Sequence, residues 1–252
     1  MIQNLFSKIR RCHERSTAQC TATARGTGQS DPQSSRDALI CSVSNHTMSS
    51  PDRLNKLIDL AEYCNSAGIA GDFVECGSYK GGSSAVLSRY LDNKRHLWIY
   101  DSFKGMPETT DKDGETARQC VGLCAATMED VIEIMNTVGT EPSQYTITKG
   151  WFVDSFRKQL PDRVALLHCD ADWYDSVMLV LETFYDRVTE GGCIILDDFG
   201  FWEGCREAFY DFCFSRGEKP LIERLGNTQA YWIKGKHHNR EGFIKGVKNA
   251  DV

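Results

Sequence analysis

Residues 72–84 read DFVECGSYKGGSS, a short apolar run that ends in a glycine-rich turn. The run predicts a buried β-strand, and helical patterning begins directly after the turn. Glycine permits a tight turn and lets a ligand approach the backbone closely. The spacing of Gly77, Gly81 and Gly82 differs from the G-x-G-x-x-G fingerprint of dinucleotide-binding sheets. This stretch therefore predicts the first strand, turn and helix of a ligand-binding α/β sheet.

Strand-like and helical patterns alternate along the rest of the chain. The strand-like runs are 72–77, 96–101, 145–150, 164–170, 191–198, 220–226 and 229–235, and the helical patterns are 82–92, 127–138, 151–159, 174–188 and 203–216. The early strands are continuously apolar, as expected for parallel strands covered on both faces. Asn227-Thr228 separates the last two strands and predicts an antiparallel hairpin, and Ser50-Pro51 predicts the start of a helix. Together these patterns predict a doubly wound, Rossmann-like α/β sheet with an antiparallel edge.

The overall composition is that of a globular protein. The chain has 252 residues, of which 41% are hydrophobic and 25% are charged, so collagen-like and wholly disordered classes are excluded. No apolar run is long enough to predict a membrane span. The net charge of −6 disfavours a nucleic-acid partner. Eleven cysteines without a C-x-x-C pair, and without a signal peptide, favour a reducing compartment.

Both ends of the chain differ in composition from its centre. Residues 1–36 carry six Lys and Arg against two acidic residues, and they contain few apolar side chains. Such a segment cannot offset its ordering entropy, so at most one short helix is expected there. We predict a basic extension over 1–44, a folded domain over 45–235 and a basic tail over 236–252. A cytoplasmic location is expected, with organelle targeting by the extension left open.

Acidic side chains follow several of the predicted strands. Asp101 ends the second strand, where an acidic residue can accept hydrogen bonds from ribose hydroxyls or can cap a turn. With the glycine-rich turn beside it, a nucleoside-type ligand is the favoured interpretation. Ligands of open α/β sheets bind beyond the carboxyl ends of the strands, and Asp101 is predicted to lie there.

Four further aspartates follow two strands that should be neighbours. Asp170 and Asp172 come after one strand, and Asp197 and Asp198 come after the next. Carboxylates crowded at one edge resist ionisation. A divalent cation removes this conflict, and Mg²⁺ prefers oxygen ligands. A single aspartate at a strand end is usually a cap, but four on adjacent strands predict a metal site.

Several segments together resemble one enzyme family. Thr47-Met48, the glycine-rich turn, YDSFKGMP (100–107), KGWFVDSF (149–156), LHCDADWYDS (167–176) and ILDDFGFWEGCREAFYDF (195–212) carry the resemblance. In order and spacing they are similar to the macrocin/mycinamicin-type sugar O-methyltransferases, which depend on S-adenosylmethionine and a metal ion. The resemblance covers roughly residues 46–235. It implies a class I methyltransferase fold with a seven-stranded sheet.

The resemblance also assigns roles position by position. It implies that Glu75 and Gly77 contact the methionine end of S-adenosylmethionine and that Asp101 binds the ribose. The remaining cofactor positions are Met48, Ser78, Tyr79, Ser102, Phe103, Lys104, Gly105 and Trp151. It implies that Asp170, Asp197 and Asp198 bind Mg²⁺ and that Asp172 is the general base. Phe201 stands where similar proteins often have a histidine, so the contacts to the acceptor are expected to differ.

The implied reaction is methylation of a hydroxyl group on a small molecule. A sugar hydroxyl is a poor nucleophile at neutral pH, and binding to Mg²⁺ lowers its pKa. Chelation of two adjacent hydroxyls also positions the attacking oxygen, which favours a sugar or another vicinal diol as acceptor. Similar enzymes associate into homo-oligomers, and the oligomeric state of this chain is left open. Trp202 and Arg206 are further candidates for the acceptor pocket.

Two other functions are compatible with the same sheet. The first is a nicotinamide-dependent oxidoreductase, which the absence of a G-x-G-x-x-G turn disfavours. The second is a non-catalytic binding protein that has kept the fold. The clustered aspartates disfavour it, because carboxylates without a ligand only destabilise a protein. Both alternatives are separated from the methyltransferase by cofactor binding and by uptake of Mg²⁺.

Overall fold

The computed structural model describes residues 32–237. Most of the predicted N-terminal extension and nearly all of the predicted tail lie outside the described residues, so the predicted domain limits stay a prediction. Among residues 32–237, no helix is long and apolar enough to cross a membrane.

A seven-stranded sheet forms the centre of the described chain. Its strands are β1 (Asp72–Cys76), β2 (Leu97–Asp101), β3 (Tyr145–Lys149), β4 (Val164–Cys169), β5 (Val188–Leu196), β6 (Glu223–Leu225) and β7 (Gln229–Ile233). The order is β3-β2-β1-β4-β5-β7-β6. The first five strands are parallel, and β7 pairs antiparallel with both β5 and β6. The predicted parallel sheet and its antiparallel edge hairpin are confirmed.

Helices cover both faces of this sheet. They are α1 (Pro32–Val43), α2 (Pro51–Ser66), α3 (Gly82–Ser88), α4 (Gly114–Arg118), α5 (Met128–Thr137), α6 (Phe152–Ser155), α7 (Tyr174–Phe184) and α8 (Glu203–Arg216), with short 3-10 turns at Ser44–His46, Pro142–Gln144 and Tyr185–Arg187. Helices α1, α2, α3 and α5 pack with Phe73 of β1 on one face. Helices α7 and α8 pack with Val74 on the other. Successive residues of β1 thus serve opposite core layers, as the two-residue period of a strand requires.

Helix α1 lies inside the segment that the sequence assigns to the basic extension. It has few apolar residues, but it buries Ile40 and Val43 in the core layer that contains α2. Arg36 of α1 also forms an ion pair with Asp59 of α2 at 2.8 Å. Helix α1 is therefore stabilised by packing against α2 rather than by a strong pattern of its own.

The start of α2 follows its predicted signal. Ser50 is the N-cap, its side chain accepts a hydrogen bond from the backbone N–H of Arg53, and Pro51 occupies the first turn. Proline lacks an N–H that would have no partner there, so it is well tolerated at this position. The capping places Met48 and Arg53 on either side of the helix start, where both line the cavity described below.

The strand register brings the acidic strand ends together. Strand β4 lies between β1 and β5, and Cys169 at its end pairs with Cys76 and with Leu196. The residues that follow Cys169 and Leu196 are Asp170 and Asp197. The predicted adjacency of these two strands is confirmed, and it brings Asp170 and Asp197 to the same edge of the sheet.

Candidate functional site

A cavity of about 860 Å³ lies at the carboxyl ends of the parallel strands. Most residues that the sequence assigns to the site line it: Met48, Gly77, Ser78, Tyr79, Asp101, Ser102, Gly105, Trp151, Asp170, Asp172, Asp197 and Asp198. Glu75, Phe103 and Lys104 do not line it. A cavity at this edge is where ligands of open parallel sheets bind.

The turn after β1 is closed around the side chain of Asp101. The backbone N–H groups of Ser78 and Tyr79 donate to Oδ2 of Asp101 at 2.7 and 3.0 Å. The N–H of Phe103 donates to Oδ1 at 2.7 Å. Asp101 therefore caps two loops, which was one interpretation of its position. A carboxylate oxygen can accept two hydrogen bonds, so Oδ1 can still accept one from a ribose hydroxyl.

Two glycines of this turn are required by packing. Gly77 has φ of 89°, and a Cβ there would lie 1.8 Å from the carbonyl oxygen of Asp170. A Cβ at Gly82 would lie 2.7 Å from Cβ of Thr47. Any larger residue at Gly77 would push the first turn away from the acidic edge. Gly77 thus holds the predicted cofactor turn and the predicted metal residues in direct contact.

Glu75 lies behind the turn and faces away from the cavity. Its side chain is fully buried, Oε2 accepts a hydrogen bond from Ser84, and Oε1 lies 2.8 Å from Nδ1 of His168. Phe103 is buried in the core layer next to β2, and Lys104 is exposed. The structure therefore places these predicted cofactor residues beside the cavity rather than on its wall.

Three of the four predicted carboxylates form one cluster. Asp170, Asp172 and Asp198 each offer an oxygen, and these oxygens lie within 4.8 Å of one another. Burial, followed by the charges of the neighbouring carboxylates, raises the pKa of all three groups. The pKa of Asp198 is raised to about 6, and those of Asp170 and Asp172 are raised well above the usual range. Nε1 of Trp202 donates to Oδ1 of Asp172 at 2.9 Å. Hard oxygen ligands that repel one another fit a divalent cation such as Mg²⁺.

Asp197 is held apart from this cluster by three other partners. Its Oδ2 lies 2.6 Å from Nη1 of Arg53, and its Oδ1 accepts a hydrogen bond from Nε2 of Gln229 at 2.9 Å. Nε2 of His168 lies 3.5 Å from Oδ1. Burial favours the neutral acid, but the charges of Arg53 and His168 outweigh it and lower the pKa of Asp197 to about 2. Arg53 and Gln229 were not predicted as site residues, because no local signal links either of them to Asp197.

Many of the other side chains that line the cavity are apolar. Its wall includes Met106, Leu123, Phe152, Leu179, Phe201 and Trp202. Of the two predicted acceptor residues, Trp202 lines the cavity, whereas Arg206 lies off it and donates to the carbonyl of Phe199 at 3.0 Å. The sequence analysis did not predict that segment 106–124 lines the cavity. Its apolar side chains form part of the cavity wall only through the tertiary fold, which no local pattern reports. A ligand with a polar group at the acidic edge and an apolar body fits this division.

The chain matches the model of the macrocin-O-methyltransferase (TylF) family over residues 3–234. The chain belongs to this family. The TylF-family assignment confirms the resemblance that the motifs carried, and it establishes an O-methyltransferase, for which S-adenosylmethionine is the implied methyl donor. The nicotinamide alternative and the non-catalytic alternative are set aside by the same assignment.

Named relatives of this TylF-family chain include two O-methyltransferases. It is 32% identical over 196 residues to the 8-demethyl-8-(2,3-dimethoxy-alpha-L-rhamnosyl)-tetracenomycin-C 4'-O-methyltransferase of Streptomyces olivaceus. This alignment covers 74% of this chain and 75% of that protein. It is 30% identical over 199 residues to the mycinamicin III 3''-O-methyltransferase of Micromonospora griseorubida, which covers 74% and 78%. The structure of the O-methyltransferase NovP superposes with a TM-score of 0.70 at 24% identity, covering 76% of this chain and 83% of that one. That last similarity supports the fold.

Proposed function

We propose that this protein transfers the methyl group of S-adenosylmethionine to a sugar hydroxyl of a glycosylated small molecule, with Mg²⁺ as a required ion. The observation that carries the proposal is the cluster of Asp170, Asp172 and Asp198 in the cavity that the cofactor turn also lines. One relative named as a 4'-O-methyltransferase of a rhamnosyl-tetracenomycin and another named as the mycinamicin III 3''-O-methyltransferase support the acceptor class. The apolar side chains that line the cavity would accommodate the body of such an acceptor.

The residues around the turn fit S-adenosylmethionine. Asp101 keeps an acceptor position on Oδ1 for a ribose hydroxyl, and Ser78, Tyr79 and Gly105 line the cavity beside it. Met48 and Trp151 line other parts of the same cavity. Glu75 would act on the methionine end only through the turn that it supports from behind. We therefore retain the predicted cofactor set, with Glu75, Phe103 and Lys104 as supports of the loops.

The acidic edge fits Mg²⁺. We propose that Asp170, Asp197 and Asp198 hold the ion and that Asp172 accepts the proton of the acceptor hydroxyl. When bound, the ion would supply positive charge that acidifies the hydroxyl and orients two neighbouring oxygens. Asp172 is placed for the base role, because its carboxylate lies in the same cluster as those of Asp170 and Asp198 and so would be close to a hydroxyl held there. Trp202 would fix the orientation of its carboxylate.

The geometry also supports a second assignment of the third ligand. Asp172 lies in the three-carboxylate cluster, whereas Asp197 is paired with Arg53. The two assignments differ in the effect of single substitutions. If Asp172 is the base, Asp172→Asn abolishes turnover but keeps Mg²⁺ affinity, and Asp197→Asn weakens Mg²⁺ binding. If Asp172 is the third ligand, the effects on Mg²⁺ affinity are reversed. Calorimetric titration of Mg²⁺ into chelator-treated variants decides between them.

The function itself is tested by binding and by transfer of a labelled methyl group. We expect the purified protein to bind S-adenosylhomocysteine in calorimetry and to methylate members of a panel of rhamnosylated and other glycosylated small molecules. Removal of divalent ions with a chelator should stop the transfer, and added Mg²⁺ should restore it. Deoxy-sugar versions of an active acceptor identify the methylated position. Methylation that persists with the chelator, or that falls on the aglycone alone, would contradict the proposal.

A further inference from the structure

Arg53 joins the two sides of the cavity. Its Nη1 lies 2.6 Å from Oδ2 of Asp197 and 3.4 Å from Oγ1 of Thr228, and its Nη2 donates to the carbonyl oxygen of Met48 at 3.2 Å. The side chain is 16% exposed, and the side chain of Asp197 is 2% exposed. The guanidinium therefore bridges the acidic edge, the β6–β7 hairpin and the segment that precedes α2.

The first contact of Arg53 offsets negative charge at the acidic edge. Asp197 and Asp198 are consecutive, and Asp170 and Asp172 lie on the neighbouring strand end. A cation at 2.6 Å from one of these carboxylates lowers the repulsion among all four, since the interaction between charges falls off only slowly with distance in a partly buried site. A divalent cation bound at the same edge would have to share Asp197 with Arg53 or replace it there.

The second contact of Arg53 holds Met48 in place. The Met48 side chain is 40% exposed and lines the cavity on the side of the cofactor turn. The N-cap Ser50 and Oγ1 of Thr47, which accepts from the N–H of Ser49 at 3.0 Å, order the same short segment. A guanidinium presents several N–H donors in a planar fork, so it can serve Met48 and Asp197 together, which a lysine ammonium cannot do with the same geometry.

We propose that Arg53 is a positioning residue that couples the cofactor side of the site to the metal side. One arm of the guanidinium holds the Met48 segment over the cofactor turn. The other arm supplies Asp197 with the positive charge that Mg²⁺ would otherwise supply. The inference rests on the proposed function, because it concerns the binding of S-adenosylmethionine and Mg²⁺ at this site. Its distinctive consequence is that loss of Arg53 changes the two affinities in opposite directions.

The test is calorimetric titration of the full chain, after chelator treatment, with Mg²⁺ alone and with S-adenosylhomocysteine alone. Arg53→Met should bind Mg²⁺ about tenfold more tightly, because a competing cation is removed. It should bind S-adenosylhomocysteine about tenfold more weakly, which is the effect of losing a hydrogen bond from a charged donor. Arg53→Lys keeps the charge but not the fork, so it should bind Mg²⁺ nearly as the wild type does and S-adenosylhomocysteine more weakly.

Lys56→Met is the matched control. Lys56 lies one turn further along α2, pairs with Asp59 at 3.5 Å and does not line the cavity. Lys56→Met removes one positive charge, as Arg53→Met does. We expect its affinities for Mg²⁺ and for S-adenosylhomocysteine to match those of the wild type. Circular dichroism confirms folding, and Arg53→Gln, which removes the charge and keeps a donor, replaces Arg53→Met if the latter is unfolded. Its Mg²⁺ affinity should also rise.

Two results would overturn the inference. The first is that folded Arg53→Met or Arg53→Gln binds Mg²⁺ as the wild type does or more weakly, which is the behaviour of a purely structural residue. The second is that Arg53→Lys keeps full affinity for S-adenosylhomocysteine. A wild-type protein that binds neither S-adenosylhomocysteine nor Mg²⁺ would instead overturn the proposed function, so the two failures are distinguishable.

Discussion

Nδ1 of His168 lies 2.8 Å from Oε1 of Glu75, in the centre of the sheet and out of contact with solvent. The two residues are register partners on β4 and β1, and the other ring nitrogen of His168 faces Asp197 at 3.5 Å. His168 thus lies between the buried side chain of Glu75, behind the cofactor turn, and that of Asp197 at the acidic edge. Removing one partner from a buried ion pair lowers stability strongly, because the other partner keeps an uncompensated charge.

We expect a His168→Gln variant to differ from the wild type in how its stability depends on pH. Burial lowers the pKa of His168, but its close approach to Asp197 and its hydrogen bond with Glu75 outweigh burial and raise the pKa to about 9. The pKa of His168 in the folded state exceeds its unfolded value of about 6.5. The stabilisation that protonated His168 gives to the fold is therefore complete below pH 6.5, and it is lost as pH rises through 9. Urea unfolding should show the free-energy difference between the proteins shrinking by about 3 kcal/mol from neutral to alkaline pH. A constant difference would contradict the charge assignment.

Substitution of Glu75 should affect stability before it affects cofactor binding. Glu75→Gln leaves the imidazolium of His168 with less compensation, so we expect the free energy of unfolding to fall by about 3 to 5 kcal/mol in denaturant titrations. Glu182→Gln, on the exposed side of α7, is the control and should stay within about 0.5 kcal/mol of the wild type. If Glu75→Gln instead keeps its stability and loses S-adenosylhomocysteine affinity, Glu75 contacts the cofactor directly, as the family resemblance implies.

Neutralising one carboxylate of the cluster should stabilise the metal-free protein. Burial and then the charge of Asp197 raise the pKa of Asp198 to about 6, above its unfolded value of about 3.9. The corresponding stability is present at low pH and is lost as pH rises through 6, so ionised Asp198 is destabilising at pH 8. Asp198→Asn should raise the free energy of unfolding there by about 1 to 3 kcal/mol.

Mg²⁺ should reverse the order of stability, so that the wild type becomes more stable than Asp198→Asn. Thermal unfolding with Mg²⁺ should stabilise the wild type and leave Asp198→Asn nearly unchanged, because binding to the folded state alone raises stability. The Mg²⁺ affinity of the wild type should also fall as pH drops below about 6, since protons compete for the same oxygens. A metal-free Asp198→Asn protein that is less stable than the wild type would contradict the repulsion argument.

The sequence predicts the sheet well because its strands carry local signals. Apolar runs mark β1, β2, β4 and β5, and Asn227-Thr228 marks the edge hairpin, which pairs Leu225 with Gln229. Helix α1 carries a weak local signal because its stability depends on burying Ile40 and Val43 against α2, a tertiary contact that periodicity does not report. Predicted helices also extended past their ends, as at Ser88 of α3, since helix boundaries carry weaker signals than helix interiors.

The candidate site divides in the same way. Asp170, Asp172 and Asp198 come together because each directly follows or lies near the end of a strand, so the strand order alone predicts their proximity. The direction of each side chain is a different matter. Asp197 and Asp198 are consecutive and face different partners, and Arg53 reaches Asp197 across 144 positions of sequence. Such long-range ion pairs depend on how the layers pack, which a single sequence does not specify.

The wall of the cavity formed by 106–124 should depend on one buried carboxylate. Oδ1 of Asp113 accepts from the N–H of Tyr174 at the start of α7 at 2.7 Å, and Oδ2 accepts from the N–H of Thr110 at 2.6 Å. Asp113 thus ties this segment to a helix end, a contact whose loss costs about 1 to 2 kcal/mol. Asp113→Ala should lower the free energy of unfolding by that amount and speed proteolytic cleavage within 106–124, whereas Glu115→Ala on the exposed side should do neither.

Gly204→Ala should also lower the free energy of unfolding and speed cleavage within 106–124, since a Cβ there would lie 1.9 Å from Oδ1 of Asp113. Cleavage at the wild-type rate in both Asp113→Ala and Gly204→Ala would show that other contacts hold the wall.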